Sequence, residues 1–332
     1  MVTPVKPRVL SGIQPSGEFH VGNYLGAVRT WAKQVEEQQE DLLFCIVDAH
    51  AITVPYEAKE LEERTIRLAT DLIACGVDPD RCTLFVQSDV REHMELAWYL
   101  AAVTPMGDLH RMTQFKEKSE DKEFVSAGLF TYPILMSADI LLYKATIVPV
   151  GDDQVQHLEL ARETVRRFNH RFGNVFVEPK PRLSTTPRVM GLDGDAKMSK
   201  SKGNSLPLFT ESDPFWKALK TAFTDPQRKQ RNDPGRPEVC NIYTMHKAVS
   251  PADTVATVHT SCTTAGWGCF DCKKVLFENF EKELAPLRAK RESLDPGTVR
   301  AILAKGAEKA RAIAQETMRE VRASMGLGSG NA

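Results

Sequence analysis

The sequence predicts an α/β protein with a parallel sheet covered by helices on both faces, followed by a smaller, mostly α-helical region. Short apolar runs at 9–13, 42–47 and 82–87 alternate with segments of helical periodicity, which is the pattern of a doubly wound sheet. The composition changes after about residue 205, where Pro, Asp and basic residues punctuate the chain. A chain of 332 residues suits two domains, and we place them at 1–205 and 206–332.

The first strand ends in a turn sequence, Gln14-Pro15-Ser16-Gly17, and a helix is expected at 22–39. The continuous apolar run at 42–47 is typical of a strand that is buried on both faces. In parallel sheets of this kind, ligands bind beyond the carboxyl ends of the strands. This rule places residues 14–23 and 48–50 at the expected binding site.

Helical spacing and apolar runs also define the later elements. An apolar series at helical spacing ends before Gly76, and it consists of Leu61, Leu68, Leu72 and Cys75. The run at 82–87 predicts a third strand, and residues 91–103 predict a further helix. A long helix is expected at Pro296–Met325, near the end of the second domain, and it can pack back on the first domain.

Composition and charge exclude several classes of protein. The formal net charge is −1, whereas a dedicated nonspecific nucleic-acid binder is usually basic. No uncharged apolar run suits a transmembrane helix, and the polar N-terminus lacks a secretion signal, so we expect a cytoplasmic protein. Seven cysteines, an odd number, do not indicate a disulfide framework. Cys45, Cys75 and Cys82 lie in apolar segments and are expected in the core.

Two short motifs suit the binding of a polyphosphate. Gly17 and Gly22 lie in a strand–helix turn, where glycine allows the backbone to approach a ligand closely and the helix start offers N–H groups. The second motif, Lys197-Met198-Ser199-Lys200-Ser201, combines lysines with small hydroxyls, and Lys202 and Gly203 follow it. This composition suits a loop that closes over phosphates, and a solvated basic loop is the alternative interpretation.

These motifs resemble the two signatures of the class I aminoacyl-tRNA synthetases. His20-Val21-Gly22-Asn23 is similar to the first signature, His-Ile-Gly-His in its idealised form, and Lys197 to Ser201 matches the second without a change. Segments 12–27, 109–116 and 150–157 resemble the tryptophanyl-tRNA synthetases more than their tyrosyl relatives. The resemblance implies a Rossmann-like catalytic domain and a C-terminal, mostly α-helical anticodon-binding domain.

The resemblance also implies roles for individual residues at an ATP site. Catalysis would depend on His20, Asn23, Lys197, Lys200 and Ser201. ATP would be bound by Gln14, Pro15, Ser16, Gly22, Asn23, Gly151, Asp152, Asp153, Val189, Lys197, Met198, Ser199, Lys200 and Ser201. Mg²⁺ would bridge the phosphate oxygens of the nucleotide.

The amino-acid site that the resemblance implies is built around Asp139, which would accept a hydrogen bond from the indole N–H of tryptophan. The rest of this site would be Tyr132, Met136, Gln154 and His50. Without the resemblance, Asp139 can equally be a helix cap or part of a buried salt bridge, because a carboxylate in an apolar helix needs a partner. Tyr132, Met136 and His50 are also compatible with the core. Relatives often carry Phe where Leu10 stands, so one wall of the indole pocket is expected to be aliphatic here.

Four late cysteines form the pattern C-x21-C-x6-C-x2-C: Cys240, Cys262, Cys269 and Cys272. Four thiols at such spacing in a cytosolic protein indicate a metal site, which can hold zinc or a 4Fe–4S cluster. A subset of bacterial tryptophanyl-tRNA synthetases resembles this sequence here and carries a 4Fe–4S cluster. We therefore expect the cluster, with zinc as the runner-up and a metal-free cavity as the third possibility.

The activity that the resemblance implies is the ATP-dependent activation of L-tryptophan and its transfer to tRNA(Trp), with a homodimer as the expected assembly. Three alternatives stay open from the sequence. The chain can be a tyrosyl-tRNA synthetase of the same fold, or a small-molecule adenylyltransferase with a similar first motif. It can also be a non-catalytic duplicate of a synthetase that binds RNA or a protein partner, although an intact second signature argues against this.

Overall fold

The computed structural model describes residues 6–115, 125–183, 189–196, 198–199 and 202–328. Among these residues, the strands are β1 (Arg8–Ile13), β2 (Asp41–Ile46), β3 (Thr83–Val86), β4 (Ile147–Val150) and β5 (Lys180–Leu183). They form one sheet in the order β3-β2-β1-β4-β5, and every neighbouring pair is parallel. The predicted parallel α/β fold is therefore confirmed, and β4 and β5 are strands that apolar runs alone did not indicate.

The central strand β2 shows why the sheet needs cover on both faces. Leu42, Phe44 and Ile46 point into one hydrophobic core, whereas Leu43 and Cys45 point into the other. Successive side chains of a strand point to opposite faces, so a run of buried residues can only come from a strand packed on both sides. The three cysteines that were expected in the core, Cys45, Cys75 and Cys82, are all buried, as predicted.

Helices cover both faces of the sheet and make up most of the chain after residue 205. They are α1 (Val21–Asn23), α2 (Arg29–Glu37), α3 (Asp48–Ala51), α4 (Ala58–Ala74), α5 (Glu92–Ala101), α6 (Met106–His110), α7 (Ala127–Leu142), α8 (Val155–Phe172), α9 (Ser212–Leu219), α10 (Asn241–Val249), α11 (Ala252–Thr263), α12 (Cys269–Glu292) and α13 (Pro296–Met325). None of the helices in the described part of the chain is long and apolar enough to cross a membrane.

The helix predicted at 22–39 is divided in the structure. Helix α1 is only one turn long, a π-helical turn at Tyr24–Val28 follows it, and α2 then continues to Glu37. Gln38 ends α2 in the left-handed conformation, with φ 54°. A π-helical turn inside a helix is rare and is found mostly at functional sites, and this one immediately follows the first signature motif.

The long terminal helix α13 has the bounds that the sequence predicts. Asp295 caps its start by accepting a hydrogen bond from the N–H of Thr298, and Gly326 ends it in the left-handed conformation. The helix packs against β3, α4, α5 and α7 of the N-terminal half. Gly306 makes this approach possible, because a Cβ atom there would lie 1.8 Å from the carbonyl oxygen of Leu84 in β3.

One of the two hydrophobic cores continues past residue 205. Leu206 and Leu208 belong to it, together with Phe215 of α9, Leu276 of α12 and Val299 of α13. The core therefore runs without interruption from the sheet into the later helices. The division at residue 205 stays a prediction, and the contacts describe two halves that share a buried surface.

Candidate active site

A cavity of about 730 Å³ opens beside β1 and β4. These strands are neighbours in the sheet, although β2 and β3 come between them in the chain, so this is the topological switch point where α/β sheets bind ligands. The cavity is lined by eight of the residues that the sequence assigns to the two substrates: Gln14, His50, Tyr132, Met136, Asp139, Gly151, Asp153 and Gln154. Residues of both predicted sites therefore share one cavity.

Asp139 stands on α7 at the deep end of this cavity, with 4% of its surface exposed. Its Oδ1 accepts hydrogen bonds from Gln87 Nε2 and from His93 Nδ1, each at 2.7 Å. Its Oδ2 accepts a hydrogen bond from His50 Nε2 at 2.8 Å. A buried carboxylate is costly unless it is paired, and these three donors explain how the apolar helix tolerates it.

The hydrogen bonds keep the carboxylate of Asp139 ionised. Burial acts to raise the pKa of Asp139, but the hydrogen bonds from His50 and His93 outweigh burial and hold that pKa well below its usual range. An ionised carboxylate only accepts hydrogen bonds. The deep end of the cavity therefore offers an acceptor to a ligand, within a wall that includes the apolar side chains of Leu10 and Met136.

A second set of polar contacts crosses the middle of the cavity. The Tyr132 hydroxyl donates to Gln114 Oε1 at 3.2 Å, and Gln114 Nε2 donates to the carbonyl oxygen of Asp153 at 3.1 Å. Gln154 Nε2 donates to Asp153 Oδ2 at 2.9 Å. Gly151 allows this arrangement, because a Cβ atom there would lie 2.8 Å from Asp153 Oδ1. A carboxylate and two amides thus face the cavity, which suits ammonium and hydroxyl groups of a ligand.

The first signature motif holds its histidine in a defined orientation. His20 caps α1, and its Nδ1 accepts a hydrogen bond from the backbone N–H of Asn23 at 3.3 Å. The Asn23 side chain in turn accepts from the backbone N–H of His20 at 3.1 Å. Because Nδ1 is an acceptor, the neutral imidazole of His20 carries its proton on Nε2. The ring donor of His20 is therefore its Nε2.

Met198 of the second signature motif is packed against the first motif. A Cβ atom at Gly22 would lie 3.2 Å from the Cβ of Met198, so the absence of a side chain at Gly22 allows this contact. The segment after the motif pairs with the first signature, since the backbone N–H of Val21 donates to Leu206 O at 2.9 Å and that of Leu208 to Phe19 O at 3.0 Å. Two motifs far apart in the sequence therefore meet at one place.

Asn204 forms hydrogen bonds with two parts of the segment that carries the second signature. Its Oδ1 accepts from the backbone N–H of Ser199 at 2.8 Å, and its Nδ2 donates to Asp193 Oδ2 at 2.7 Å. Lys197, Lys200 and Ser201, which the resemblance assigns to catalysis and ATP, lie outside the described residues. Their predicted roles stay predictions.

The other predicted ATP residues lie around the main cavity without lining it. Pro15, Ser16 and Asn23 line a smaller neighbouring pocket together with Arg64 and Arg67. The side chains of Val189 and Met198 are buried in the hydrophobic core, and Asp152 lies in an exposed turn of 3₁₀-helix at Asp152–Gln154. The contacts that these residues make with ATP remain predictions.

The four late cysteines come together in the structure. They line one small pocket with Arg228 and Trp267: Cys240, Cys262, Cys269 and Cys272. The Arg228 guanidinium lies 3.9 Å from the Sγ atoms of Cys262 and Cys269. Burial raises the pKa values of Cys240 and Cys262, and burial with the neighbouring thiols raises that of Cys272 to about 12. Within the described part of the chain, no group of three or more His, Cys, Asp or Glu side chains is arranged to hold a metal ion.

Several cavity residues and their partners were not identified from the sequence. Gln114 lies in a segment that carries the resemblance, yet it received no role, and Arg182 of β5 also lines the cavity. Gln87 and His93, which hold Asp139, follow β3 in a segment that was assigned only to secondary structure. The polar character of Gln87 at the carboxyl end of β3 was a usable signal, because ligands bind at that edge, whereas His93 lies in α5.

Comparison with known proteins identifies the family. The family described as "tRNA synthetases class I (W and Y)" matches residues 4–285, which is most of the chain. Together with the switch-point cavity and the two adjoining signatures, this match shows that the chain belongs to the class I tRNA synthetases for tryptophan and tyrosine.

Within that family, relatives that are 42–48% identical to this chain are named tryptophan–tRNA ligases. A tryptophan–tRNA ligase of Deinococcus radiodurans is 48% identical over 325 residues, covering 96% of this chain and 98% of that protein. The ligase of Thermotoga maritima is 42% identical over 96% of this chain and 99% of its own length. A Campylobacter jejuni tryptophanyl-tRNA synthetase, solved with ADP and tryptophan, has a TM-score of 0.87 at 36% identity and covers 96% of this chain and all of its own.

Proposed function

We propose that this chain is a tryptophan–tRNA ligase. It activates L-tryptophan with ATP to tryptophanyl-adenylate and releases diphosphate, and it then transfers the aminoacyl group to tRNA(Trp) and releases AMP. Relatives that are 42–48% identical over 96% of the chain carry this name. The structural observation that supports it most directly is the ionised Asp139 at the deep end of a cavity walled by Leu10 and Met136.

Asp139 gives a physical basis for the selection of tryptophan. Tryptophan has a single hydrogen-bond donor on its ring system, the indole N–H, and Asp139 offers a buried acceptor in apolar surroundings. A ligand without that donor would leave a buried carboxylate without one of its partners, and such a mismatch gives strong discrimination. The amino-acid end of the substrate would meet Tyr132 and Gln154, and His50 lies beside the ring because it holds Asp139.

The activation step needs positioning more than acid–base catalysis. The tryptophan carboxylate is already ionised at neutral pH, so it attacks the α-phosphorus of ATP without a general base. His20, through its Nε2 proton, would donate to a phosphate oxygen, and Asn23 holds His20 in this orientation. Lys197, Lys200 and Ser201 would close on the diphosphate that leaves. Mg²⁺, when bound, neutralises charge on the phosphate oxygens.

A test of this function is amino-acid-dependent ATP–pyrophosphate exchange with all twenty amino acids. We expect exchange with tryptophan alone, and we expect Asp139→Asn, which keeps the shape of the side chain, to lower kcat/KM for tryptophan by at least about 100-fold. Exchange driven by tyrosine would instead establish the tyrosyl alternative. Silence with every amino acid would establish the non-catalytic alternative.

We further propose that Cys240, Cys262, Cys269 and Cys272 hold a 4Fe–4S cluster. All four thiols line one pocket, although they come from a loop, from the end of α11 and from the start of α12. Thiolates around a single zinc ion stand within about 4 Å of one another, whereas a four-iron cluster spaces its ligands more widely. The preference for the cluster over zinc comes from the resemblance of the cysteine pattern to that of the bacterial subset. When bound, the cluster would cross-link these segments.

Metal analysis of anaerobically purified protein tests the cluster. We expect about four iron atoms per chain, little zinc, and a visible absorption band that disappears in Cys272→Ala. Cys75→Ala, which changes a buried cysteine outside the pocket, is the matched control and should retain the iron. One zinc per chain would establish the runner-up, and metal-free protein would remove the proposal.

A homodimer is the assembly that we propose. Large apolar side chains are exposed after α3 and on α5: Ile52, Val54, Tyr56, Met94 and Trp98. The two segments adjoin, because Asp48 of α3 accepts a hydrogen bond from the backbone N–H of Ser88 just before α5. Exposed apolar patches of this kind mark interfaces. Sedimentation analysis should give a dimer that Trp98→Lys dissociates, and a wild-type monomer would contradict this proposal.

A further inference from the structure

A layer of buried polar residues lies behind Asp139, away from the cavity. Gln87, His93 and Tyr143 are each 0% exposed, and none of them lines the cavity that Asp139 faces. Gln87 and His93 both donate to Asp139 Oδ1, and His93 Nε2 lies 2.8 Å from the Tyr143 hydroxyl. The carboxylate is thus connected to a second set of side chains that no ligand in the cavity can touch.

Tyr143 determines which ring nitrogen of His93 carries the proton. The ionised carboxylate of Asp139 only accepts hydrogen bonds, so Nδ1 of His93 must be the donor to it. In the neutral ring, Nε2 is then an acceptor, and the Tyr143 hydroxyl is the donor that it needs. A buried polar group without a partner is costly. Tyr143 therefore stabilises the one tautomer of His93 that can bond to Asp139.

Asp139 can accept one hydrogen bond more than the protein supplies, which suits the recognition of a single ligand N–H. A carboxylate has about four lone-pair positions, two on each oxygen. Oδ1 uses two of them for Gln87 and His93, and Oδ2 uses one for His50. One acceptor position remains on Oδ2, the oxygen to which neither Gln87 nor His93 donates. A single N–H donor from a ligand would therefore fill the last acceptor position of Asp139.

Gln87 also connects Asp139 to the helix that carries His50. While its Nε2 donates to Asp139 Oδ1, its Oε1 accepts from the backbone N–H of Ala49 at 3.2 Å. Ala49 precedes His50 on α3, and His50 holds the other carboxylate oxygen of Asp139. One buried amide therefore positions both the carboxylate and the helix that carries its partner in the cavity.

We propose that Gln87, His93 and Tyr143 are positioning residues that determine specificity for the indole N–H without touching the substrate. The inference depends on the proposed tryptophan specificity, and it deepens it. A simpler role, in which these residues only stabilise the fold around a buried charge, predicts loss of stability in variants. It does not predict a change in the preference between two substrates that differ only at the ring nitrogen.

The test compares kcat/KM in pyrophosphate exchange for tryptophan and for β-(benzothiophen-3-yl)alanine, in which sulfur replaces the indole N–H. We expect the preference for tryptophan to fall about tenfold in Tyr143→Phe and about 100-fold in His93→Leu. His93→Asn, whose amide can still donate to Asp139, should recover part of the preference. The change should appear in KM for tryptophan, with KM for ATP unaltered.

Tyr99→Phe is the matched control, because the Tyr99 hydroxyl donates to Glu95 on the surface of α5 and has no contact with Asp139. Its preference should equal that of the wild type. If His93→Leu does not fold, Tyr143→Phe, which removes one oxygen atom, decides the question. An unchanged preference in Tyr143→Phe would overturn the proposal. A wild type that does not prefer tryptophan over the analogue would instead contradict the proposed function itself.

Discussion

Two buried polar clusters of this molecule differ in how far the protein itself stabilises a negative charge. At Asp139, the negative charge has three hydrogen-bond donors from the protein itself, and its pKa is held below the usual range. At the cysteine pocket, burial raises the pKa of Cys272 to about 12, and Arg228 is the cation that reaches the thiols Cys262 and Cys269 among the described residues. The protein therefore supplies three of the about four hydrogen bonds that Asp139 can accept, whereas burial favours the neutral form of the Cys272 thiol.

This difference indicates what each cluster is built to bind. A substrate that must leave after each turnover should add only a few interactions to a site that the protein has already organised. One hydrogen bond to Asp139 is such an interaction. A bound metal can supply a large part of the local stability, because the thiols release their protons to solvent and bind it as thiolates. With the proposed metal site, the protein supplies hydrogen-bond donors to the carboxylate, whereas the metal would supply positive charge to the thiolates.

The largest expected effect compares the two clusters directly. Asp139→Leu leaves the buried donors Gln87, His93 and His50 without their acceptor, and we expect the free energy of unfolding to fall by about 4 kcal/mol. In protein freed of metal by a chelator, Cys272→Ala should lower it by only about 1 kcal/mol, since the one partner lost is His246 Nε2 at 3.5 Å from the sulfur. Urea unfolding measures both. Equal losses in the two variants would refute the contrast between the clusters.

The sequence allowed prediction of the strands that are mainly apolar. β1, β2 and β3 were predicted from the segments 9–13, 42–47 and 82–87, and the second of these is apolar throughout. β4 and β5 are four residues long, and they contain Pro149 and Pro181, respectively. Each proline lacks a backbone N–H donor and weakens the pattern of a strand. Their position follows only from the sheet, where β4 pairs with β1 and β5 pairs with β4.

The same limit applies to the site. Asp139 was recognised because a carboxylate in an apolar helix requires an explanation, and the resemblance supplied one. Its rear partners lie 52 and 46 positions away, at Gln87 and His93, and polar residues after a strand are ordinarily exposed. Their complete burial depends on how α5 and α7 pack together, which no local pattern reveals. The pocket formed by the four cysteines was predictable from spacing, because few other roles explain four such thiols.

A smaller effect is expected where the terminal helix contacts the sheet behind the Asp139 cluster. Gly306→Ala places a Cβ atom 1.8 Å from Leu84 O, so β3 or α13 must move, and we expect a loss of about 2–3 kcal/mol. Gln87 follows β3 directly, so tryptophan binding measured by calorimetry should weaken as well. The proposed iron content of the cysteine pocket should be unaffected.

Gly128→Ala is the control for this change. Gly128 lies in the first turn of α7, and a Cβ atom there would stand 3.5 Å from Thr53 Cγ2, an ordinary contact distance. Replacing glycine by alanine in a helix without a clash is neutral or stabilising. If Gly128→Ala and Gly306→Ala had the same effect, the close approach of α13 to β3 would not be what matters.

The smallest expected effect concerns the loop that brings Arg228 to the cysteine pocket. Asp225, just before this loop, accepts hydrogen bonds from the backbone N–H and the guanidinium of Arg236 and from the backbone N–H of Gln227. The hydrogen bonds from Arg236 are the main reason why the pKa of Asp225 is lowered to about 2. Asp225 therefore fixes both ends of the segment through its charge. Asp225→Asn should lower the free energy of unfolding at pH 7 by about 1–2 kcal/mol.

The pH dependence of that loss identifies the charge as its cause. An unfolded chain has an aspartate pKa near 3.9, above the folded value of about 2 for Asp225. Its contribution is therefore fully present above pH 5 and is lost as the pH falls from about 4 toward 2. The difference between wild type and Asp225→Asn should shrink over this range in thermal unfolding. The exposed Asp253→Asn should differ from wild type by less than about 0.5 kcal/mol at pH 7. A difference at Asp225 that stays constant with pH would mean that the shape of the loop, and not this carboxylate's charge, holds Arg228 beside the thiols.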